Sequence, residues 1–215
     1  MLDIAKILAG AGLVWAAVTL VFQVIRARGG GRTDFSDSKG NPRRGIAYYF
    51  TVAMIPTHKE SASKHPLEFS IGMLMHVGVI ASLVTVLLFL VRTDAVGGFL
   101  LFARPVILLA LIAGLLLLVR RTRSKSLRAM TSPDDFIAII ATCGLLALAS
   151  LADLGPGLAI AFLLYTAVLC VYVPLGKLRH AIFFFAARAE YGRRLGHRGV
   201  YPPPAAKGQP DAGQS

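Results

Sequence analysis

The sequence predicts an all-α integral membrane protein of five transmembrane helices, with its amino terminus outside and its carboxyl terminus in the cytoplasm. Three observations predict it. The chain is 55% hydrophobic and only 16% charged, with a mean hydropathy of +0.65, a balance found in membrane-embedded chains and not in soluble globules. Its apolar residues gather into five stretches close to the roughly 20 residues that a helix needs to cross a bilayer. The net charge of +12 is also unevenly placed: 20 of the 23 Lys and Arg lie in residues 26–64, in 120–128 and from Lys177 onward, which leaves Lys6, Arg92 and Arg104 for the other side. The positive-inside rule then sets the orientation. Charge confined to the segments between apolar spans argues for membrane topology over nucleic-acid binding.

Span one covers about 5–25. Asp3 and Lys6 precede it where a signal peptide would carry a cationic cluster, and Arg26, Arg28 and Arg32 follow it, so a retained span is expected. Residues 26–64 form a polar loop. Within it Ile46–Ile55 is an apolar island too short to span, and Tyr48, Tyr49 and Phe50 mark it as interfacial. Span two covers about 69–91 and opens at Pro66, a residue suited to a first helical turn. Span three covers about 98–119. Arg104 and Pro105 interrupt it, so the helix is expected to begin near Pro105, with Gly97–Ala103 as an interfacial lead-in. Ser132-Pro133-Asp134-Asp135 is a helix start with acids at the positive end of the dipole, and span four covers about 136–152. Span five covers about 158–186, kinked at Pro174. Residues 1–187 thus make one membrane domain. Residues 188–215 make a basic cytoplasmic tail, Pro- and Gly-rich and disordered at its end. Cys143 and Cys170 sit in apolar spans in no metal-binding spacing and read as small core residues.

Two histidines, His76 and His180, lie inside apolar spans. An ionisable residue at membrane depth is costly and marks a functional site by default. His76 lies seven residues after Phe69, about 10 Å in from the cytoplasmic boundary at 1.5 Å per residue. His180 lies five residues before Phe185, about 8 Å from the same boundary by the same rise. Matching depth on antiparallel helices is what two axial ligands of one haem iron require. Gly72 and Gly176 each stand four residues before a histidine. On an unbroken helix that is the same face, where a glycine leaves room for a macrocycle. Two unrelated intramembrane histidines, hydrogen-bonded to backbone or water, are the bland alternative.

Met75-His76-Val77-Gly78-Val79-Ile80, together with Val173-Pro174-Leu175-Gly176-Lys177-Leu178-Arg179-His180, resembles the gamma subunit of respiratory nitrate reductase and the related cytochrome b subunits of heterodisulfide-reductase-type and sulfate-reducer complexes. The resemblance extends to the number and topology of the spans. It implies a haem b membrane subunit that passes electrons between the quinone pool and a cytoplasmic iron–sulfur partner, itself able to belong to a flavin or molybdenum oxidoreductase. It implies a place in a bacterial or archaeal cytoplasmic membrane. His76 and His180 match the family's ligand pair nearer the cytoplasm. The outer pair has no counterpart, because Thr85-Val86-Leu87 and Phe162 stand where its histidines would fall, so one haem is expected.

The remaining polar residues read as follows. His58, His65 and His197 are expected at the surface, although His65 and His197 are the positions from which a second haem would have to be ligated. Lys177 and Arg179 flank His180 and are candidates for haem propionates, against simple positive-inside anchoring. Arg104 is expected to snorkel to the outer interface, with pairing to a quinone oxygen as the sharper possibility. Tyr165 and Tyr172 read as packing residues, and Asp134 with Asp135 as capping. No nucleotide loop, iron–sulfur cysteine cluster or substrate site is present in the sequence. The chain therefore reads as an electron-transfer subunit whose substrate chemistry belongs to a partner. A haem-free membrane anchor or assembly subunit is the alternative.

Overall fold

The computed structural model describes residues 1–29, 41–56 and 63–195. Those residues are helical with no strand among them. The helices are α1 (Leu2–Gly29), α2 (Pro42–Phe50), α3 (Pro66–Val91), α4 (Val96–Arg123), α5 (Lys125–Ala129), α6 (Pro133–Leu151), α7 (Pro156–Tyr172) and α8 (His180–Leu195). Single 3-10 turns lie at Val52–Met54, Thr93–Ala95 and Lys177–Arg179. Four of the helices are long and apolar enough to cross a membrane. A fifth crossing is counted if α7 and the helix after its break form one span, an arrangement compatible with a multi-pass membrane protein.

The chain divides into two compact units. The first holds residues 1–28 and 65–181. Its core is a tight packing of α3 on α4 and of both on α6, with α7 against α6. Close approach is possible because small residues sit at the crossings. Gly78 of α3 lies directly on Ala110 of α4 and near Leu146, and Gly114 of α4 faces Cys143 and Met75. In a bilayer, lipid solvates apolar side chains as well as protein does, so helices associate through such close van der Waals contact. α1 buries only Ala5, Ala9, Gly12 and Ala16, with Gly12 set against Ala167 and Cys170 of α7. Its large residues, among them Trp15, Val18 and Phe22, point outward, as expected of a helix whose other faces meet lipid.

Five hydroxyl residues are buried in this core: Ser82, Thr85, Thr142, Ser150 and Thr166. Each donates to a carbonyl one turn back on its own helix, at 2.7–2.9 Å. None of these five hydroxyls therefore meets apolar surroundings unpaired, where it would cost several kcal/mol.

Two prolines behave differently from expectation. Pro105 does not begin a helix: α4 runs unbroken from Val96 to Arg123 with Pro105 inside. One missing N–H is tolerated where neighbouring helices hold the segment, and Leu100 and Ile107 on either side are fully buried. Span five, by contrast, is not one kinked helix. α7 stops at Tyr172, and the chain turns through Val173–Gly176 and a 3-10 turn before α8 begins at His180.

The second unit holds residues 29–64 and 182–215. The apolar island forms α2, too short to span, as expected. Pro42 lies in its first turn, and the Asn41 side chain accepts from the Arg43 and Arg44 N–H groups. The part of α8 in this unit meets α2 through Tyr49 against Tyr191, Phe50 stacked on Phe185, and Gly192 against Gly45 and Ile46. Arg188 donates to the Tyr49 carbonyl at 3.1 Å and lies over the Phe184 ring. Tyr49 is 3% exposed, and burial raises its phenol pKa.

Gly78→Val should lower stability by about 1–3 kcal/mol, because the branched side chain overpacks the α3–α4 crossing. Gly98→Ala, whose added methyl meets nothing within 4 Å, should be neutral or slightly stabilising. Thermal unfolding of the two variants in detergent checks this.

Candidate functional site

His76 lies on α3, and His180 is the first residue of α8, directly after the 3-10 turn. Both belong to the first unit. Their ring centroids are 6.3 Å apart, and the ring planes cross at 78°. Two imidazoles on opposite sides of one metal, each about 2 Å from it through nitrogen, have centroids about 6 Å apart. The separation therefore matches that of a pair sharing one metal.

The hydrogen bonds add a direction. His76 Nδ1 is 2.7 Å from the Gly72 carbonyl oxygen, and His180 Nδ1 is 2.7 Å from the Lys177 carbonyl oxygen. A carbonyl can only accept, so each Nδ1 carries the proton and donates. In the neutral form of each ring this leaves the lone pair on Nε2, which has no hydrogen-bond partner among the described residues. A backbone carbonyl fixing one ring nitrogen while the other is free to bind metal is the arrangement that orients histidine ligands. Both histidines are exposed. On α3 the neighbours of His76 on the outer surface are apolar: Met73, Val77 and Ile80 are 45%, 47% and 61% exposed. A nitrogen without a partner on the apolar surface around His76 calls for one, whereas His180 lies beside the exposed Lys177 and Arg179.

The other expected site residues divide. A side chain at Gly72 would meet nothing within 4 Å, so there is open room beside His76. Gly176 does not share a helical face with His180, because the break lies between them. The space a side chain would take there is filled by the Tyr172 ring. Gly176 makes room for Tyr172 and not for a macrocycle. Lys177 is committed to Asp135 at 2.7 Å and is not available as a separate cation. Arg179 is exposed, and its side chain makes no hydrogen bond or ion pair among the described residues.

The break in span five is held by residues far away in sequence. Gln23 of α1 donates to the Pro174 carbonyl at 2.9 Å. Asp134 of α6 accepts the Lys177 backbone N–H at 2.9 Å and the Tyr172 hydroxyl. Asp135 alone performs the expected capping, reaching back to the Ser132 N–H at 2.8 Å, and it also pairs with Lys177 and Arg121. Asp134 is therefore not a capping residue. Asp134, Tyr172 and Gln23 were not legible as site residues. The available signals were a second acid where one suffices for a cap, and the only amide in span one.

The remaining polar groups have structural partners. Glu68 pairs with Arg120 at 2.6 Å. Glu68, Arg120, Arg121, Asp135 and Lys177 line a half-open cavity of about 410 Å³ between α3, α4 and α6. Arg104 donates to the Ser150 carbonyl at 2.8 Å and pairs with Asp153. It satisfies the end of α6. Tyr165 donates to the Ala141 carbonyl and fills the space over Gly144. Both cysteines are buried and free. His65 is exposed beside Glu68, and His58 and His197 lie outside the described residues. At the level where a second pair of histidines would fall, Thr85, Val86 and Phe162 are fully buried and Phe162 packs on Phe89.

No family model, curated protein or solved structure matches the chain.

Proposed function

We propose that the chain is a haem b membrane subunit of a respiratory oxidoreductase complex, passing electrons between the quinone pool and a cytoplasmic iron–sulfur partner. The observation that carries the proposal is the histidine pair: 6.3 Å between rings, with both Nδ1 atoms tied to carbonyls and both Nε2 atoms without a partner among the described residues. His76 and His180 would be the axial ligands. Gly72 leaves room beside the first of them, and Arg179 is the cation left to meet a propionate, Lys177 being held by Asp135. Bound between the two imidazoles, haem b supplies one-electron transfer. The protein's part is to hold both rings at fixed separation, keep their tautomers set through Gly72 and Lys177, and exclude water with the apolar residues around them. One haem per chain is proposed, because packed side chains occupy the level of a second pair.

The distribution of Lys and Arg supports a cytoplasmic carboxyl terminus in a bacterial or archaeal membrane. It also places the basic segments 26–64 and 188–201 on the side where the partner is proposed to dock. Among the described residues of these segments, α2 meets α8 through Tyr49 and Tyr191, and Tyr191 is 53% exposed. Arg193 and Arg194 both pair with Glu190, so their steering effect on a partner is reduced. Tyr201 lies outside the described residues.

A reduced-minus-oxidised visible spectrum and a pyridine haemochrome assay on the purified protein should give low-spin haem b at about one per chain. Absence of haem would leave the haem-free anchor standing, and two haems per chain would overturn the single-site reading.

His76→Ala and His180→Ala should each abolish the haem spectrum, because one imidazole leaves the iron half-ligated. His65→Ala and His197→Ala should leave it unchanged. Gly72→Leu should cut haem content severalfold at unchanged apoprotein stability, since the new side chain enters open space beside the ligand. Haem-to-protein ratios after parallel purification check all five variants.

A further inference from the structure

We propose that Asp134, at the start of α6, is the positioning residue that fixes His180 as a ligand. It does so by clamping the break between α7 and α8. The proposal rests on the haem reading above and goes beyond it, since nothing in the ligand pair itself points to α6.

His180 Nδ1 donates to the Lys177 carbonyl at 2.7 Å. The ring direction is thus set by where residue 177 lies. Residue 177 is not held by helical bonding, because α7 has already ended and the Tyr172 carbonyl accepts from both Leu175 and Gly176 at 2.9 Å. Its N–H goes instead to Asp134 at 2.9 Å. The other oxygen of the same carboxylate accepts the Tyr172 hydroxyl, and the Tyr172 ring fills the space over Gly176. One carboxylate therefore grips the last residue of α7 and the first residue of the 3-10 turn, on either side of the break. Gln23 satisfies the Pro174 carbonyl inside it at 2.9 Å. A hydrogen bond to a charged acceptor is stronger than one between neutral groups. Lys177 adds a second hold through Asp135 at 2.7 Å, but that bond acts through a flexible side chain. Asp134 is the group that holds the backbone.

The consequence concerns the crossing of the rings. With His76 set by its own helix through the Gly72 carbonyl, the 78° between planes depends on the orientation of His180. Axial imidazole planes crossed near a right angle give low-spin ferric haem a highly anisotropic electron paramagnetic resonance signal, whereas parallel planes give a rhombic one. If the clamp is released, His180 can rotate, and the signal moves toward the rhombic form.

The test uses the full-length purified protein and compares wild type, Asp134→Ala and Asp134→Asn, the last keeping an acceptor for the Lys177 N–H. Two quantities are read: amide hydrogen exchange of the peptide covering 173–181, and the resonance spectrum of the oxidised haem. In Asp134→Ala, exchange at that peptide should rise about tenfold or more, the equivalent of one lost hydrogen bond to a charged group. The highly anisotropic signal should fall with a rhombic one growing in its place. Asp134→Asn should restore both toward wild type. Unchanged exchange in Asp134→Ala would overturn the clamp, whether or not haem is present. Faster exchange with an unchanged resonance signal would overturn its role toward His180. A wild-type protein without haem would sink the functional reading, and exchange alone would then decide the clamp. Where Asp134→Ala does not accumulate, Tyr172→Phe deletes one bond to the same carboxylate, and a smaller change of the same sign is expected. No change in either quantity would again overturn the proposal.

Discussion

In an apolar medium every backbone polar group must find a partner within the protein, and the break between α7 and α8 is a point in the first unit where the helix does not provide one. An unpaired amide or carbonyl there would cost several kcal/mol. The fold answers with three side chains from two other helices: Gln23 on the Pro174 carbonyl, and Asp134 on the Lys177 N–H and the Tyr172 hydroxyl, with Asp135 holding the Lys177 ammonium. Once these are in place, a residue that would otherwise lie along a continuous helix, His180, is delivered at the start of a new one, facing His76. The break and the histidine pair are therefore one structural problem.

The same economy runs through the charged residues. Arg104 is satisfied by Asp153 and a helix-end carbonyl, Lys177 and Arg121 by Asp135, and Arg120 by Glu68. The cations that the positive-inside rule counts are also fastenings between helix ends. Pairs of this kind at a half-exposed surface contribute about 1 kcal/mol or less each. Their value lies in tying α3, α4, α6 and the turn before α8 to one another at the basic end. Arg179 stands out against them as a cation without a described partner, beside the histidine whose Nε2 is also free.

Much of the architecture was legible because it depends on composition and period alone. The apolar stretches, their approximate ends, the short interfacial island and the Ser132–Asp135 helix start all follow from local sequence. The two prolines show where local reading stops. Pro105 and Pro174 each remove one N–H, and sequence assigned the stronger disruption to Pro105. The outcome is the reverse, because at Pro174 the chain also has Gly176, which admits the Tyr172 ring, and distant partners ready to satisfy the opened backbone. Gln23 is 151 residues from Pro174, and Asp134 is 43 from Lys177. No window along the chain contains either pair. For the same reason Gly176 was read as half of a matched pair with Gly72. That pairing holds only if the helix is continuous.

The histidines sit between these two regimes. Their matching depth was readable, since depth is counted from the ends of apolar stretches. Their orientation was not, since it depends on the Gly72 and Lys177 carbonyls and, for His180, on the clamped break. Orientation is what separates the two functional readings. In a haem-free anchor, the two exposed imidazoles 6.3 Å apart would have no shared partner between them. Both rings spend their Nδ1 protons on carbonyls, at equal 2.7 Å distances, and leave their Nε2 atoms for something else. Among the described residues the Gln23 Oε1 and the Tyr49 hydroxyl also lack partners, but only the two histidine nitrogens stand on rings 6.3 Å apart, and that pairing is what the proposed haem would use.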